Sequence, residues 1–362
     1  MTTQIPSASY PPPPRQTANP APPRPVNSLR RTSSIDVAWP DGPEGQRLFV
    51  GRARDYLTGA NGHGRTLAEG EFRLRMTEDK TITEIAADPA PATIAELVGA
   101  RAGGHLRMAL REIMPELIAR ADPLYLVLDD LSGTALVSAF AWGQWFPERM
   151  ELLRQRLGAA DGASALAQRA NVCWGLQEGN SGVSGDAPLD KVADADAGEL
   201  RNAADPGGWH QFLEHEGPGF RRARRIDVTR DGGLIRIASA FQDSAKLREG
   251  GRVAIHEYNL AATVDAETLE VLSLTPEARI LPFRECPGAV HNVARLVGRN
   301  LGQVREDVLE MLRGPEGCTH LNDALRALAD VPRLVEELRQ PARPKTCQAP
   351  RHPREGGDSA CS

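Results

Sequence analysis

The residues best suited to chemistry collect in one turn, Gly314 to Asp323, which reads GPEGCTHLND. Pro315 ends the preceding helical pattern, and Thr319 is a good N-cap for the next helix. Cys318 and His320 are therefore expected beside a helix N-terminus. There the macrodipole and the free backbone N–H groups favour an anion, either a thiolate or a bound carboxylate or phosphate.

A metal site is the first interpretation of this region, because two thiols and two imidazoles suit zinc or a similar ion such as iron. The candidate ligands are Cys286, Cys318, His256 and His320. Glu257 and Asp323 are candidate acid/base or supporting carboxylates, and Cys173 and His210 are possible additions. On a strand, His256 and Glu257 face opposite ways, so both enter one site only at a bulge.

Two other interpretations of the same residues stay open. Cys318 could act as a nucleophile in acyl or thioester chemistry, with its thiol acidified by the helix terminus and by His320 or His256. Alternatively, Cys286 and Cys318 are small buried apolar residues and His320 packs or caps a helix.

Composition limits the class of protein. The chain has 362 residues, and 43 Lys and Arg against 48 Asp and Glu give a net charge of −5, which argues against a nucleic-acid partner. No run approaches the roughly 18 apolar residues of a membrane span, and the five dispersed cysteines are typical of reduced thiols. These features predict a cytoplasmic protein with a small-molecule ligand or substrate.

An internal repeat determines the predicted architecture. LRRTSSIDV from Leu29 matches FRRARRIDV from Phe220, and GEFRLRMTEDKTITEI from Gly70 matches HEYNLAATVDAETLEV from His256. LVGARAG and LVGRNLG follow in the same order. Such order-preserving similarity predicts a duplicated unit, in which residues found in only one copy are the better functional candidates. Gly70 stands at the place of His256, so the second copy is expected to hold the site.

Each unit is predicted to be an antiparallel sheet with helices packed on one face, an α+β arrangement. In the second unit, strands over 224–229 and 234–241 flank an Asp-Gly turn, and a second hairpin covers 252–274. Apolar spacing from Val293 to Leu312 predicts a helix, which Pro276 and Pro282 precede as breakers. The predicted segments are a disordered Pro-rich tail over 1–27, the first repeat over 28–150, a connecting region over 151–219, the second repeat over 220–338 and a disordered tail over 339–362.

The chain resembles the bacterial family known as domain of unknown function 2889, or DUF2889. RRARRIDV, HEYNL, ECPGAV and GCTHLNDAL carry the resemblance in the second half, and NVCWG and DPGGWH resemble the family's connecting region. The similarity extends over most of residues 25 to 335. It implies no particular activity, but it groups these motifs into one constellation.

The sequence therefore favours a duplicated α+β protein with one working site in its second half. The leading hypothesis is an enzyme, with or without a metal ion, that acts on a small apolar or carboxylate-bearing metabolite. The alternative is a non-catalytic ligand-binding or accessory protein. Arg221, Arg222, Arg224 and Arg225 are expected to pair with acidic residues rather than to bind phosphate.

Overall fold

The computed structural model describes residues 14–42, 44–148, 170–184 and 195–339. In this part of the chain nine strands form a single sheet. They are β1 (Ser28–Ala38), β2 (Arg47–Thr58), β3 (Gly64–Met76), β4 (Ile82–Asp88), β5 (Ala195–Asp196), β6 (Gly219–Asp231), β7 (Leu234–Lys246), β8 (Arg252–Asp265) and β9 (Val271–Ile280).

All strand pairs are antiparallel, and the order across the sheet is β4, β3, β2, β1, β6, β7, β8. The outer side of β8 pairs with β9 along most of its length and with the short β5 near its beginning. The predicted combination of an antiparallel sheet with helices is confirmed. Instead of a separate sheet in each half, however, the two sets of four long strands join edge to edge into one sheet.

The repeated RR-x3-ID motif forms the centre of the sheet, because its two occurrences pair with each other across β1 and β6. Arg30 lies opposite Asp227, and Arg221 lies opposite Asp36. Each guanidinium binds the carboxylate facing it, with an Nε–Oδ1 distance of 2.6 Å in both pairs. The motif is therefore self-complementary in an antiparallel pair, which explains why both halves carry it.

The helices pack on one face of the sheet, called the helical face below, and the opposite one is called the back face. The helices are α1 (Gly104–Ile113), α2 (Pro115–Ala119), α3 (Pro123–Val137), α4 (Phe140–Trp145), α5 (Ser181–Ser184), α6 (Val304–Met311), α7 (Thr319–Arg326) and α8 (Val331–Arg339). Apolar residues of both halves form two clusters between sheet and helices. Most of α3 is buried, including Asp129 and Asp130 as well as its apolar residues.

Two predictions about local structure are wrong. The helix expected from Val293 to Leu312 is interrupted, since a 3-10 helix (Cys286–Leu296) ends before Gly298 at φ 81° and α6 starts only at Val304. Pro276, predicted as a breaker, lies inside β9. An edge strand tolerates proline, because one side of its backbone has no neighbouring strand.

The N-terminal segment is ordered further than predicted. Residues 14–27, expected to be part of a disordered tail, lie against the back face. The backbone N–H of Ala21 donates to the carbonyl of Leu200, and Arg24 binds Asp205 at 2.6 Å. Proline-rich backbone cannot form a regular ladder, but its remaining polar groups find partners here. Residues 1–13 and 340–362, which include the rest of both predicted tails, lie outside the described residues.

Candidate functional site

A network of buried ion pairs separates the centre of the sheet from the helices. Alternate residues of β1 and β6 face the helical side and bring in Arg31 and Arg222, each about 1% exposed. Successive N–O distances of 2.6 to 3.3 Å connect ten side chains. In order they are Asp55, Arg31, Asp330, Arg305, Asp129, Arg326, Asp323, Arg222, Asp243 and His256. We call this set the buried network.

A glycine in α3 leaves room for the buried network. Gly133 lies in the middle of α3, where glycine ordinarily destabilises a helix. A Cβ atom at this position would overlap the Nη1 of Arg222 and the Oδ2 of Asp323. The absence of a side chain therefore lets α3 pass directly over this ion pair, which has an N–O distance of 2.8 Å.

The network ends at a pair of stacked histidines. The Nδ1 of His256 lies 3.2 Å from the Oδ2 of Asp243, and the Nε2 of His320 lies 3.7 Å from the same oxygen. The two rings stack with centroids 3.5 Å apart and planes inclined by 19°. His256 comes from β8, His320 from the first turn of α7, and Asp243 from β7 directly opposite His256. All three side chains are buried.

Burial shifts the pKa values of His320 and Asp243. Desolvation, followed by the neighbouring His256, holds the pKa of His320 well below its ordinary value, so its ring is neutral at pH 7. For Asp243, desolvation alone would raise the pKa, but Arg222 and His256 reverse the shift and lower it. The site thus presents a carboxylate beside an uncharged imidazole.

Cys318 lies next to His320, and a phenol and two further thiols lie near Cys318. Cys318 is the N-cap of α7, with its Sγ 4.0 Å from the Nδ1 of His320. Cys286 and Cys173 are close enough that each contributes to the electrostatics of Cys318 or Tyr258. The hydroxyl of Tyr258 is buried and lies against the thiol of Cys318.

The thiols are not acidified as the nucleophile interpretation requires. Burial raises the pKa of Cys318, although the Tyr258 hydroxyl and the N–H groups at the start of α7 act in the opposite direction. Burial also raises the pKa of Cys173 to about 12 and that of Cys286 well above its ordinary value. At neutral pH these three side chains are therefore thiols, which are poor nucleophiles.

The structure brings together only part of the predicted constellation. His256, His320 and Cys318 are neighbours, and Cys286 lies in the same apolar cluster as Cys318. Asp323 belongs to the buried network, where Arg222, Arg107 and Arg326 surround it.

Two of the candidates lie elsewhere. Glu257 lies on the back face, where the Nε of Arg279 is 2.5 Å away, and it cannot act with His256 in one site. His210 also lies on the back face, between Thr32 and Ser34.

Asp243 is the functional candidate that the sequence analysis missed. It stands in an unremarkable run, FQDS, and no motif marks it. Only the strand register points to Asp243. It places Asp243 opposite Arg222, a buried cation that needs an acidic partner. The same register gives the corresponding positions of the first half as Arg31, Asp55 and Ala68. By this comparison the counterpart of His256 is Ala68 rather than Gly70.

Asp243, His256 and His320 could hold a metal ion. One ligand atom from each lies within 4.8 Å of the other two, and the set of two imidazoles and a carboxylate suits zinc or non-haem iron. The donor types fit, but the ring nitrogens of the two stacked histidines do not point toward one common position. An imidazole binds a metal in its own plane, and two nearly parallel planes do not meet near the carboxylate. Binding therefore requires one ring to rotate.

Comparison with known proteins gives one match. Residues 220–333 match the family described as Protein of unknown function (DUF2889). The match covers the second half of the sheet with α6, α7 and the start of α8, and it is narrower than the similarity expected over residues 25 to 335. No curated protein and no solved structure matches the chain. Within the described ranges, no helix is long and apolar enough to cross a membrane.

Proposed function

We propose that the protein binds one divalent transition-metal ion through Asp243, His256 and His320. The observation that carries the proposal is the clustering of these three ligand atoms within 4.8 Å of one another in a buried position.

The buried network supports the same proposal from the opposite side. Both oxygens of Asp243 accept from Arg222, at 2.8 and 2.9 Å, which fixes the orientation of the carboxylate toward the histidines. Residues hydrogen-bonded behind a metal ligand commonly orient it in this way. The cost is that Arg222 competes with the ion for the carboxylate charge, so we expect moderate rather than very tight binding.

The burial of the three proposed ligands limits which molecules could reach a bound ion. His256, His320 and Asp243 are 4%, 8% and 0% exposed, so a bulky substrate cannot reach them without movement of α7. When bound, the ion supplies Lewis-acid or redox chemistry. We infer that it acts on a small molecule or serves as a structural or electron-transferring centre. The histidines hold it, and Cys318 and Tyr258 line its surroundings.

The test is metal content measured with matched variants. Protein washed with chelator is mixed with zinc or with ferrous iron, separated from free metal by gel filtration and analysed for its elements. We expect about one equivalent in the unmodified protein and none in the double variant His256→Gln, His320→Gln. Glu257→Gln is the matched control, because it changes the adjacent residue of β8 on the opposite face.

The proposal would be overturned by equal metal content in the unmodified protein and the double histidine variant. It would also fail if the metal were lost in Cys286→Ser or Cys318→Ser but retained in the histidine variant, since the thiols would then be the ligands. Circular dichroism of each variant distinguishes loss of ligands from loss of the fold.

We also propose that the two halves arose by duplication. The reciprocal pairs Arg30 with Asp227 and Arg221 with Asp36 support this, because they relate β1 and β6 by an approximate twofold axis. Only the second half combines the paired arginine and aspartate with a histidine, so the first half would act as its structural partner.

A further inference from the structure

A cavity of about 460 Å³ lies on the back face, away from the histidines. Its floor is formed by β6, β7, β8 and β9. Its roof comes from two segments that cross the sheet, residues 18–22 and the region that contains Leu200 and Trp209. Because the sheet separates it from the helical face, it is independent of the proposed metal site.

Small side chains create this space. Four alanines lie in the floor of the cavity, and the strand register places them on adjoining strands: Ala223, Ala238, Ala240 and Ala261. Side chains of ordinary size at these positions would fill the cavity. Arg225, Ala240, Asn259 and Glu277 follow one another across the four strands. Three strand spacings of about 4.8 Å make this line roughly 14 Å long.

The end of the cavity at Arg225 carries surplus positive charge. Among the described residues, three guanidinium groups, those of Arg24, Arg30 and Arg225, share two carboxylates. Asp227 is bound by both Arg30 and Arg225, and Asp205 is bound by Arg24 with Arg30 nearby. A buried guanidinium that shares its counter-ion favours a further anion.

The opposite end of the cavity carries two carboxylates, Glu257 and Glu277, which both pair with Arg279. Glu257 accepts hydrogen bonds from the backbone of Ala18, from Gln242 and from Arg279. Glu277 accepts from Asn259 and from the same Arg279. Glu257 has three donors within the protein, and the Glu277 side chain is 55% exposed to water, so neither carboxylate requires a cationic ligand.

The roof contains an unused hydrogen-bond donor. Trp209 is 5% exposed and lines the cavity, and its Nε1 has no hydrogen-bond partner among the described residues. A buried indole N–H usually finds an acceptor. An oxygen of a bound molecule would supply one.

We propose that this cavity binds a small molecule with an apolar body and a carboxylate, the carboxylate lying against Arg225 and the apolar body over the alanine floor. The indole of Trp209 covers the ligand and donates to one of its oxygens.

Three probes with the same alkyl chain and different head groups test this proposal. Octanoate, octan-1-ol and octylamine are titrated into the full chain by isothermal calorimetry. We expect octanoate to bind at least ten times more tightly than the other two. Arg225→Gln should weaken octanoate binding by about ten-fold to a hundred-fold, as the loss of a charged hydrogen bond predicts, and leave octan-1-ol unchanged. Ala240→Leu should abolish binding of all three by filling the floor.

Arg236→Gln is the matched control, because Arg236 lies on β7 on the same face, outside the cavity lining, with its side chain 51% exposed. Ala261→Val, a smaller change, replaces Ala240→Leu if circular dichroism shows that the latter is misfolded. Tighter binding of octylamine, equal loss of octanoate in the two arginine variants, or no binding of any probe would each overturn the proposal.

Discussion

Replacing His320 with glutamine should make the stability of the protein less sensitive to acid. In the folded protein the His320 ring is buried against His256, Asp243 and Phe241, and desolvation lowers its pKa well below the ordinary value. In the unfolded chain the same ring titrates near pH 6.5. As the pH falls below that value the unfolded state takes up a proton that the folded state does not, so stability is lost.

The magnitude follows from the unfolded-state pKa. Between pH 7 and pH 5 an unfolded histidine changes from mostly neutral to almost fully protonated, which is worth about 2 kcal/mol if the folded ring stays neutral. Asp243 contributes little in this window. Its pKa is lowered by Arg222 and His256 after desolvation, so its stabilisation is complete above its unfolded value of about 3.9 and is lost only at lower pH.

The assay is urea unfolding at pH 7 and pH 5 in the presence of chelator, so that metal binding does not add to the result. The unmodified protein also contains His210, whose pKa burial lowers well below its ordinary value, and that contribution remains in the variant. The difference between the two proteins therefore isolates His320. We expect the unmodified protein to lose about 2 kcal/mol more than His320→Gln. Identical losses would show that this ring is not held neutral.

Three further outcomes follow from the same contacts. Arg222→Met should lower the free energy of unfolding by about 3 to 5 kcal/mol in urea because two buried carboxylates lose their partner, whereas Arg236→Met, at an exposed site, should change it by less than about 0.5 kcal/mol. Gly133→Ala should lower the melting temperature through overlap with the ion pair, while Gly143→Ala in α4, with open space around it, should keep or raise it. Cys318 should react with iodoacetamide at pH 8 more slowly than a free thiol, and rapid alkylation of the folded protein would contradict its burial and raised pKa.

Local sequence signals predicted the second half of the sheet well. The Asp-Gly turn before Leu234 joins β6 and β7 as expected, since these residues suit a tight hairpin and apolar alternation continues on both sides. The hairpin of β8 and β9 was also predicted, although β9 runs on to Ile280 because an edge strand admits Pro276.

Features that depend on distant contacts were not predictable in this way. The segment over 14–27 is ordered by contacts with residues about 180 positions away, including Asp205 and Leu200. The RR-x3-ID motif was read as a shared scaffold element, and only the antiparallel pairing of its two occurrences explains how arginine and aspartate find each other. Composition carries no information on either contact.

The candidate site was accessible to sequence reasoning only in part. His256, Cys318 and His320 stood out because the first half has no equivalent of them. Asp243 could not be singled out from the sequence, because its role depends on the register between β6, β7 and β8. The alternation of β8 separated Glu257 from His256 in principle, and the back-face partners of Glu257 bear that out.

The most direct measurement is an anomalous difference map from crystals of zinc-loaded protein, recorded on both sides of the zinc absorption edge. The account predicts one peak about 2.0 to 2.2 Å from a ring nitrogen of His256, a ring nitrogen of His320 and an oxygen of Asp243, with the two rings no longer stacked. A map without a peak at this position, in which the rings remain stacked beside Asp243, would contradict it.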